Sequence, residues 1–186
     1  MSKNLGQIQV YTGDCKGKTT ASLGLAMRAR GRGLKVAVIF FDKGASPDGR
    51  QGFDYGERNS LEKLGIDFWV TGCVRFDSIK KEFRFGVEDE DIAEGAKGLV
   101  IFRQLLKEQK YDIVILDEIN SSLALGIVNQ EKFLEIMAEK PKNVELILTG
   151  RNAPPEIIEL ANLVTEMKMI KHYFYQGVEV REGIEY

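Results

Sequence analysis

Thr12-Gly13-Asp14-Cys15-Lys16-Gly17-Lys18-Thr19-Thr20 decides the fold of this chain. It follows a short apolar run, Ile8-Gln9-Val10-Tyr11, and opens into a stretch with helical spacing, Ala21 to Arg30. A strand, a glycine-rich turn and then Gly-Lys-Thr at a helix start is the build of a phosphate-binding loop. The glycines let the backbone curl so that successive N–H groups face anionic oxygens. The helix N-terminus adds its positive dipole end. On this reading Gly13, Asp14, Cys15, Lys16, Gly17 and Thr20 form the cradle. Lys18 reaches the outer phosphates, and the Thr19 hydroxyl holds a magnesium ion. Lys16, inside the loop, is a second phosphate partner. The usual spacing places four residues between the first glycine and the Gly-Lys pair; here Gly13 and Gly17 have three between them. Either the loop is shortened or Thr12 stands at the usual first-glycine position.

Downstream, strand-like and helix-like patches alternate. Lys35-Val36-Ala37-Val38-Ile39-Phe40-Phe41 is a run suited to a strand buried on both faces. Ser60 to Leu64 reads as a short helix and Ile66-Asp67-Phe68-Trp69-Val70 as a strand. Residues 71–87 show no period and read as a long loop, the kind that is often functional. Asp89 caps a helix running through Lys110, with Ile92, Ala96, Leu99, Phe102 and Leu106 on its apolar face. Ile113-Val114-Ile115-Leu116 is a buried strand ending at Asp117-Glu118. Glu131 to Glu139 is helical and stops before Pro141. Val144-Glu145-Leu146-Ile147-Leu148 is a strand leading to Thr149-Gly150-Arg151. Pro154 to Leu160 is a short helix, and Leu163 to Met169 the last strand. Apolar strands alternating with amphipathic helices predict a doubly wound α/β fold. Its sheet is mostly parallel, with helices on both faces, and residues 1–186 form one domain. Ligands in such sheets bind beyond the carboxyl ends of the strands, and the polar motifs all fall there.

Asp117-Glu118 is the second motif. Four apolar residues followed by an acid resemble the metal-supporting strand of phosphate-loop enzymes. Magnesium takes oxygen ligands and keeps several waters, so one carboxylate with Thr19 and phosphate oxygens suffices. Asp117 and Glu118 are both candidates for that role. Taken alone, the pair suits an ATPase or kinase as readily as anything else. Arg151 follows a strand end and carries a fork suited to phosphate oxygens. Lys43 reads either as a ligand or as a charge after a buried strand. His172 is the only histidine, which favours a packed or solvated ring over a transition-metal ligand.

The charge balance is −2, from 26 basic and 28 acidic side chains, so nucleic acid is not an expected partner. Cys15 and Cys73 do not make a disulfide framework, which points to a reduced, cytoplasmic setting. Met-Ser-Lys-Asn-Leu-Gly lacks the apolar core of a signal peptide, and no apolar run is long enough to span a membrane.

Together these residues carry a resemblance. Thr12 to Ala21 is similar to the shortened phosphate loop of the ATP:cob(I)alamin adenosyltransferases, the corrinoid adenosyltransferase family. The likeness continues through Phe40-Phe41-Asp42-Lys43-Gly44, Gly56-Glu57-Arg58-Asn59, Leu116-Asp117-Glu118-Ile119-Asn120 and Leu148-Thr149-Gly150-Arg151-Asn152-Ala153-Pro154. It ends at Val164-Thr165-Glu166-Met167, Lys171-His172 and Gly183-Ile184-Glu185-Tyr186. The resemblance implies transfer of the adenosyl group of ATP to a reduced corrinoid, with loss of the whole triphosphate. It implies ATP, Mg2+ and cob(I)alamin as the bound species, with Lys18, Thr19 and Glu118 as the catalytic residues. A flavoprotein reductase and a homodimer are the partners it suggests. A non-catalytic nucleotide- or corrinoid-binding protein is the other alternative. Cys15 stands where the family loop has a second glycine, and a Cβ disfavours positive φ. The family's Gly-Phe-Thr-Trp stretch appears as Gly72-Cys73-Val74-Arg75. Residues 71–87, with Phe76, Phe83 and Phe85, are the expected cover for the corrin ring.

Overall fold

Strands and helices alternate along the chain in the computed structural model, which describes residues 4–44, 55–77 and 82–186. The first three residues of the N-terminal stretch lie outside the described residues. So do residues 78–81 of the 71–87 segment and the side chains of Phe76 and Phe83. The elements are β1 (Ile8–Thr12), α1 (Lys18–Arg30), β2 (Val36–Phe40), α2 (Gly56–Leu64) and β3 (Asp67–Val70). A small hairpin follows, β4 (Phe76–Asp77) with β5 (Glu82–Phe83), then α3 (Asp89–Glu108) and β6 (Ile113–Asp117). The chain ends with α4 (Ile119–Ala124), α5 (Gln130–Ala138), β7 (Glu145–Thr149), α6 (Pro155–Leu160), β8 (Leu163–Glu166) and a 3-10 turn (Tyr173–Gln176).

Six strands form one sheet in the order β3-β2-β6-β7-β1-β8, and every neighbouring pair is parallel. The central strands are buried along their whole length, which is why they are apolar at consecutive positions instead of alternate ones. Successive side chains still point to opposite faces. Val36, Val38 and Phe40 pack with Ala26, Ala29 and Leu61, so α1 and α2 cover one face. Ala37 and Ile39 pack with Phe102, Leu123, Phe133 and Ile157, so α3 to α6 cover the other. The chain leaves β1 toward β2 on one side and later sets β8 on the other. The sheet's topological switch therefore lies at β1, and a crevice is expected beyond its carboxyl end. Register brings the motifs level there, with Phe40 opposite Asp117 and Tyr11 opposite Thr149.

Four expectations change in detail. The apolar face of α3 is rotated, since Ile92 and Ala96 are exposed while Gly95, Gly98, Leu99, Phe102, Leu105 and Leu106 are buried. The glycines face the core because the helix lies too close for a side chain. A Cβ at Gly98 would come within 2.3 Å of the Phe41 ring, and one at Gly95 within 2.6 Å of the Ile127 carbonyl oxygen. The cap of this helix is Glu88, one residue earlier than expected, paired with Asp91 in a capping box. Residues 71–87 are not simply a loop, because they contain the β4–β5 hairpin. The last strand stops at Glu166, short of Met169, because Met167 turns to the phosphate-loop motif. Its N–H donates to the Thr12 carbonyl at 2.8 Å and its carbonyl accepts from the Cys15 N–H at 3.0 Å.

Candidate active site

The β1–α1 loop curls at its two glycines, with φ of 98° at Gly13 and 121° at Gly17. Met167 lies against both, so Gly13 is also a place of close approach: a Cβ there would stand 2.6 Å from the Met167 carbonyl oxygen. Positive φ does not fall on Cys15. The cysteine therefore costs the loop no backbone strain, contrary to what its replacement of a glycine suggests.

Lys18 is the first residue of α1 and is buried. Its ammonium donates to the carbonyls of Gly13 and Cys15, both at 2.8 Å, and so braces the curl. Burial holds its pKa below the ordinary lysine value; Glu118 opposes that shift, and the like charge of Arg151 adds to it. A cation in that condition gains from an anion placed beside it. The next residue, Thr19, donates its hydroxyl to Asp117 Oδ2 at 3.2 Å.

Asp117 ends β6 and is fully buried. Thr149, level with it at the end of β7, donates to Asp117 Oδ1 at 2.6 Å. Glu118 follows in the left-handed region, φ 60°, where the chain breaks from strand into α4. Its N–H donates to Thr149 Oγ1 at 3.0 Å. Its carboxylate accepts from Ser121 Oγ at 2.6 Å, and Ser121 Oγ accepts from the Arg151 N–H at 2.9 Å. One hydroxyl thus ties the acid of the second motif to the arginine of the third. Gly150, φ 131°, permits this because a Cβ there would lie 2.6 Å from the Ser121 nitrogen.

Lys43 enters from the end of β2. Its ammonium donates to Asp117 Oδ2 at 2.6 Å and to Thr19 Oγ1 at 3.1 Å. Burial pulls the Lys43 pKa down, but the carboxylates of Asp117 and Glu118 outweigh it and the net shift is upward. Asp42 beside it is held by Arg75, Nε to Oδ1 at 2.6 Å. Arg84 makes two bonds to Asp91, at 2.9 and 2.6 Å, and its N–H donates to the Arg75 carbonyl at 2.7 Å. Arg75 therefore ties the end of β2 to Arg84 and, through it, to the start of α3.

These groups open on a cavity of about 800 Å³ lined by Cys15 to Thr20, Lys43, Glu118 and Arg151. It continues between α1 and α2 past Leu23, Met27, Leu61 and Leu64, and the C-terminal tail closes one side with His172 and residues 183–186. Lys16 is drawn to that tail, donating to the Ile184 carbonyl at 2.6 Å, with Glu185 at 3.5 Å. Asp14 and Thr20 are exposed. His172 accepts from the Phe174 N–H at 3.1 Å and caps the 3-10 turn. Lys18, Thr19, Asp117, Glu118 and Arg151 thus converge. The tail was legible only through the family likeness, and Ser121 carried no sequence signal. Lys43 and Thr149 were visible as polar residues at strand ends, but nothing in the sequence paired them with Asp117.

A magnesium ion fits the donor set in one way. Thr19 offers a hydroxyl and Glu118 a carboxylate, both hard oxygens. Among the described residues no group of three or more His, Cys, Asp and Glu side chains converges to hold a metal by itself. Such a set suits an ion that arrives with phosphate oxygens and retains its waters.

A parallel sheet with helices on both faces, and a Gly-Lys-Thr loop at the β1–α1 turn, defines the doubly wound phosphate-loop fold class. The chain belongs to the ATP:corrinoid adenosyltransferase BtuR/CobO/CobP family, whose model matches residues 4–186. It is 37% identical over 183 residues to the corrinoid adenosyltransferase of Escherichia coli strain K12, covering 97% of this chain and 86% of that protein. It is 34% identical over 184 residues to the corrinoid adenosyltransferase of a Sinorhizobium species, covering 97% and 80%. The corrinoid adenosyltransferase CobA of Salmonella typhimurium strain LT2 is 33% identical over 184 residues, at 97% and 86% coverage.

Proposed function

We propose that this enzyme moves the 5′-deoxyadenosyl group of ATP to the cobalt of a reduced corrinoid and releases tripolyphosphate. The observation that carries the reading is the convergence of Lys18, Thr19, Glu118 and Arg151 on one cavity at the switch point of the sheet. Cobalt in the Co(I) state holds a nucleophilic electron pair. It attacks C5′ of ATP; the Co–C bond forms, the C5′–O bond breaks, and the bonding pair leaves on the triphosphate oxygen. The nucleophile carries no proton, so no general base is needed. The protein's tasks are to orient C5′ and to neutralise a leaving group of high negative charge.

On this reading the Gly13–Thr20 loop cradles the triphosphate, Lys18 and Arg151 offset its charge, and Thr19 with Glu118 faces magnesium. When bound, that ion adds positive charge at the phosphates. Lys16 joins them once it leaves the Ile184 carbonyl. The 71–87 segment covers the corrin, and Phe85, 85% exposed, offers it an apolar face. A flavoprotein reductase supplies Co(I), and a second copy of the chain completes the cover. The free thiols Cys15 and Cys73 fit a reduced, cytoplasmic setting; among the described residues, no helix is long and apolar enough to cross a membrane.

The test is spectroscopic. Protein, Mg2+ and chemically reduced cobalamin are mixed anaerobically with and without ATP. A light-sensitive alkylcobalamin spectrum that appears only with ATP is the expected result. Its absence, with ATP consumed, would overturn the reading.

A further inference from the structure

Lys43 sits where a metal ion is expected to be supported. Its ammonium lies between Thr19 Oγ1 and Asp117 Oδ2, at 3.1 and 2.6 Å. The placement is built by several contacts. The Lys43 N–H donates to the Thr71 carbonyl at 3.3 Å, and its own carbonyl accepts from Arg58 Nη2 at 2.6 Å. Gly44 abuts the backbone of Gly72, where a Cβ would come within 2.2 Å of the carbonyl oxygen. The side chain then runs past the rings of Phe40 and Tyr55, with the ammonium 5.6 and 5.3 Å from their centres. It reaches the cavity wall beside Lys18 and Thr19.

Asp117 is the other half of the argument. One carboxylate oxygen accepts from Thr149, and the second accepts from both Lys43 and Thr19. The group is fully buried and forms no part of the cavity wall, whereas Glu118 does. An ion at the phosphates reaches Asp117 only by displacing Lys43.

We propose that Lys43 is a further protein cation for the leaving triphosphate beside Lys18 and Arg151, that Asp117 holds it in place, and that Glu118 alone is the acid facing the nucleotide's metal. This rests on the reading that the triphosphate occupies the β1–α1 loop. A cation fixed in advance needs no reorganisation as negative charge develops on the leaving oxygen. Lys43 would then act on the triphosphate directly, and Asp117 is a positioning residue.

The experiment is calorimetric titration of tripolyphosphate, with and without Mg2+, into wild type, Lys43→Met, Lys43→Met/Asp117→Asn and Glu118→Gln. Thermal melting reports folding, and the double variant leaves no unpaired carboxylate if the single one fails to fold. Without Mg2+, loss of Lys43 should weaken binding by roughly ten- to a hundredfold, the effect of one charge-assisted contact. With Mg2+, the gain in affinity should survive in the double variant and vanish in Glu118→Gln. Wild-type affinity in a folded double variant would reduce Lys43–Asp117 to a structural ion pair. Loss of the Mg2+ gain in the double variant, with Glu118→Gln intact, would make Asp117 the metal's acid. Either result overturns the proposal. If wild type binds neither tripolyphosphate nor ATP, the functional reading itself fails and takes this inference with it.

Discussion

Replacing Lys18 by alanine tests the phosphate loop at its most exact point. The ammonium makes two 2.8 Å bonds to loop carbonyls, at Gly13 and Cys15, and stands buried at the start of α1. With a triphosphate in the loop it becomes a charge-assisted donor to phosphate oxygens. Such a contact is worth about 1.5–3 kcal/mol, and at about 1.4 kcal/mol per decade its loss weakens ATP roughly ten- to a hundredfold. Stability should change much less. The two carbonyl bonds are lost, but so is the cost of burying the charge, which shows in the lowered pKa of the group. A net loss of about 1 kcal/mol, or a melting shift of about 2–4 °C in a chain of this size, is expected. The assay is calorimetric titration of Mg-ATP together with scanning calorimetry of the free protein. Wild-type affinity in a variant that melts within a few degrees of wild type would remove the loop from phosphate binding.

Burial and the hydrogen bond to Asp91 push the Cys73 thiol up to about 11. Only the thiolate reacts, so alkylation of Cys73 in a Cys15→Ser background should be slow at pH 8 and rise about tenfold per pH unit towards 11; a rate already level at pH 9 would contradict this. Because the folded value lies above the ordinary 9.0, any stability the thiol contributes is complete below pH 9 and is lost as pH climbs through about 11. Gly98→Val should cost about 1–3 kcal/mol by overpacking against Phe41, read as a lower urea midpoint, and an unchanged midpoint would show that α3 moves freely off the sheet. Phe85→Ala should raise the corrinoid concentration needed for half-maximal rate and leave ATP affinity alone; normal corrinoid turnover would place the ring elsewhere.

The sheet was legible because β2, β6 and β7 carry apolar residues at three or more consecutive positions, a pattern that two-sided burial explains. The loop was legible because Gly-Lys-Thr is local in sequence. What failed was whatever depends on the distance between elements. Periodicity draws the α3 face through Ile92 and Ala96, since it rewards apolar side chains. The real face uses Gly95 and Gly98, and their value is the lack of a side chain against Phe41 and Ile127. The same limit hid the centre of the site. Lys43 and Asp117 are 74 residues apart, and Thr149 is a further 32 along. Only the parallel register brings those strand ends level. The left-handed turn at Glu118, which separates its carboxylate from that of Asp117, has no signature in the residue itself.

The central claim is that the bond broken is C5′–O of ATP, not a bond between phosphates. Phosphorus NMR of the products decides it. With ATP, Mg2+ and cob(I)alamin under anaerobic conditions, tripolyphosphate should appear in a one-to-one ratio with adenosylcobalamin. ADP and inorganic phosphate formed at the rate of ATP loss would contradict the account.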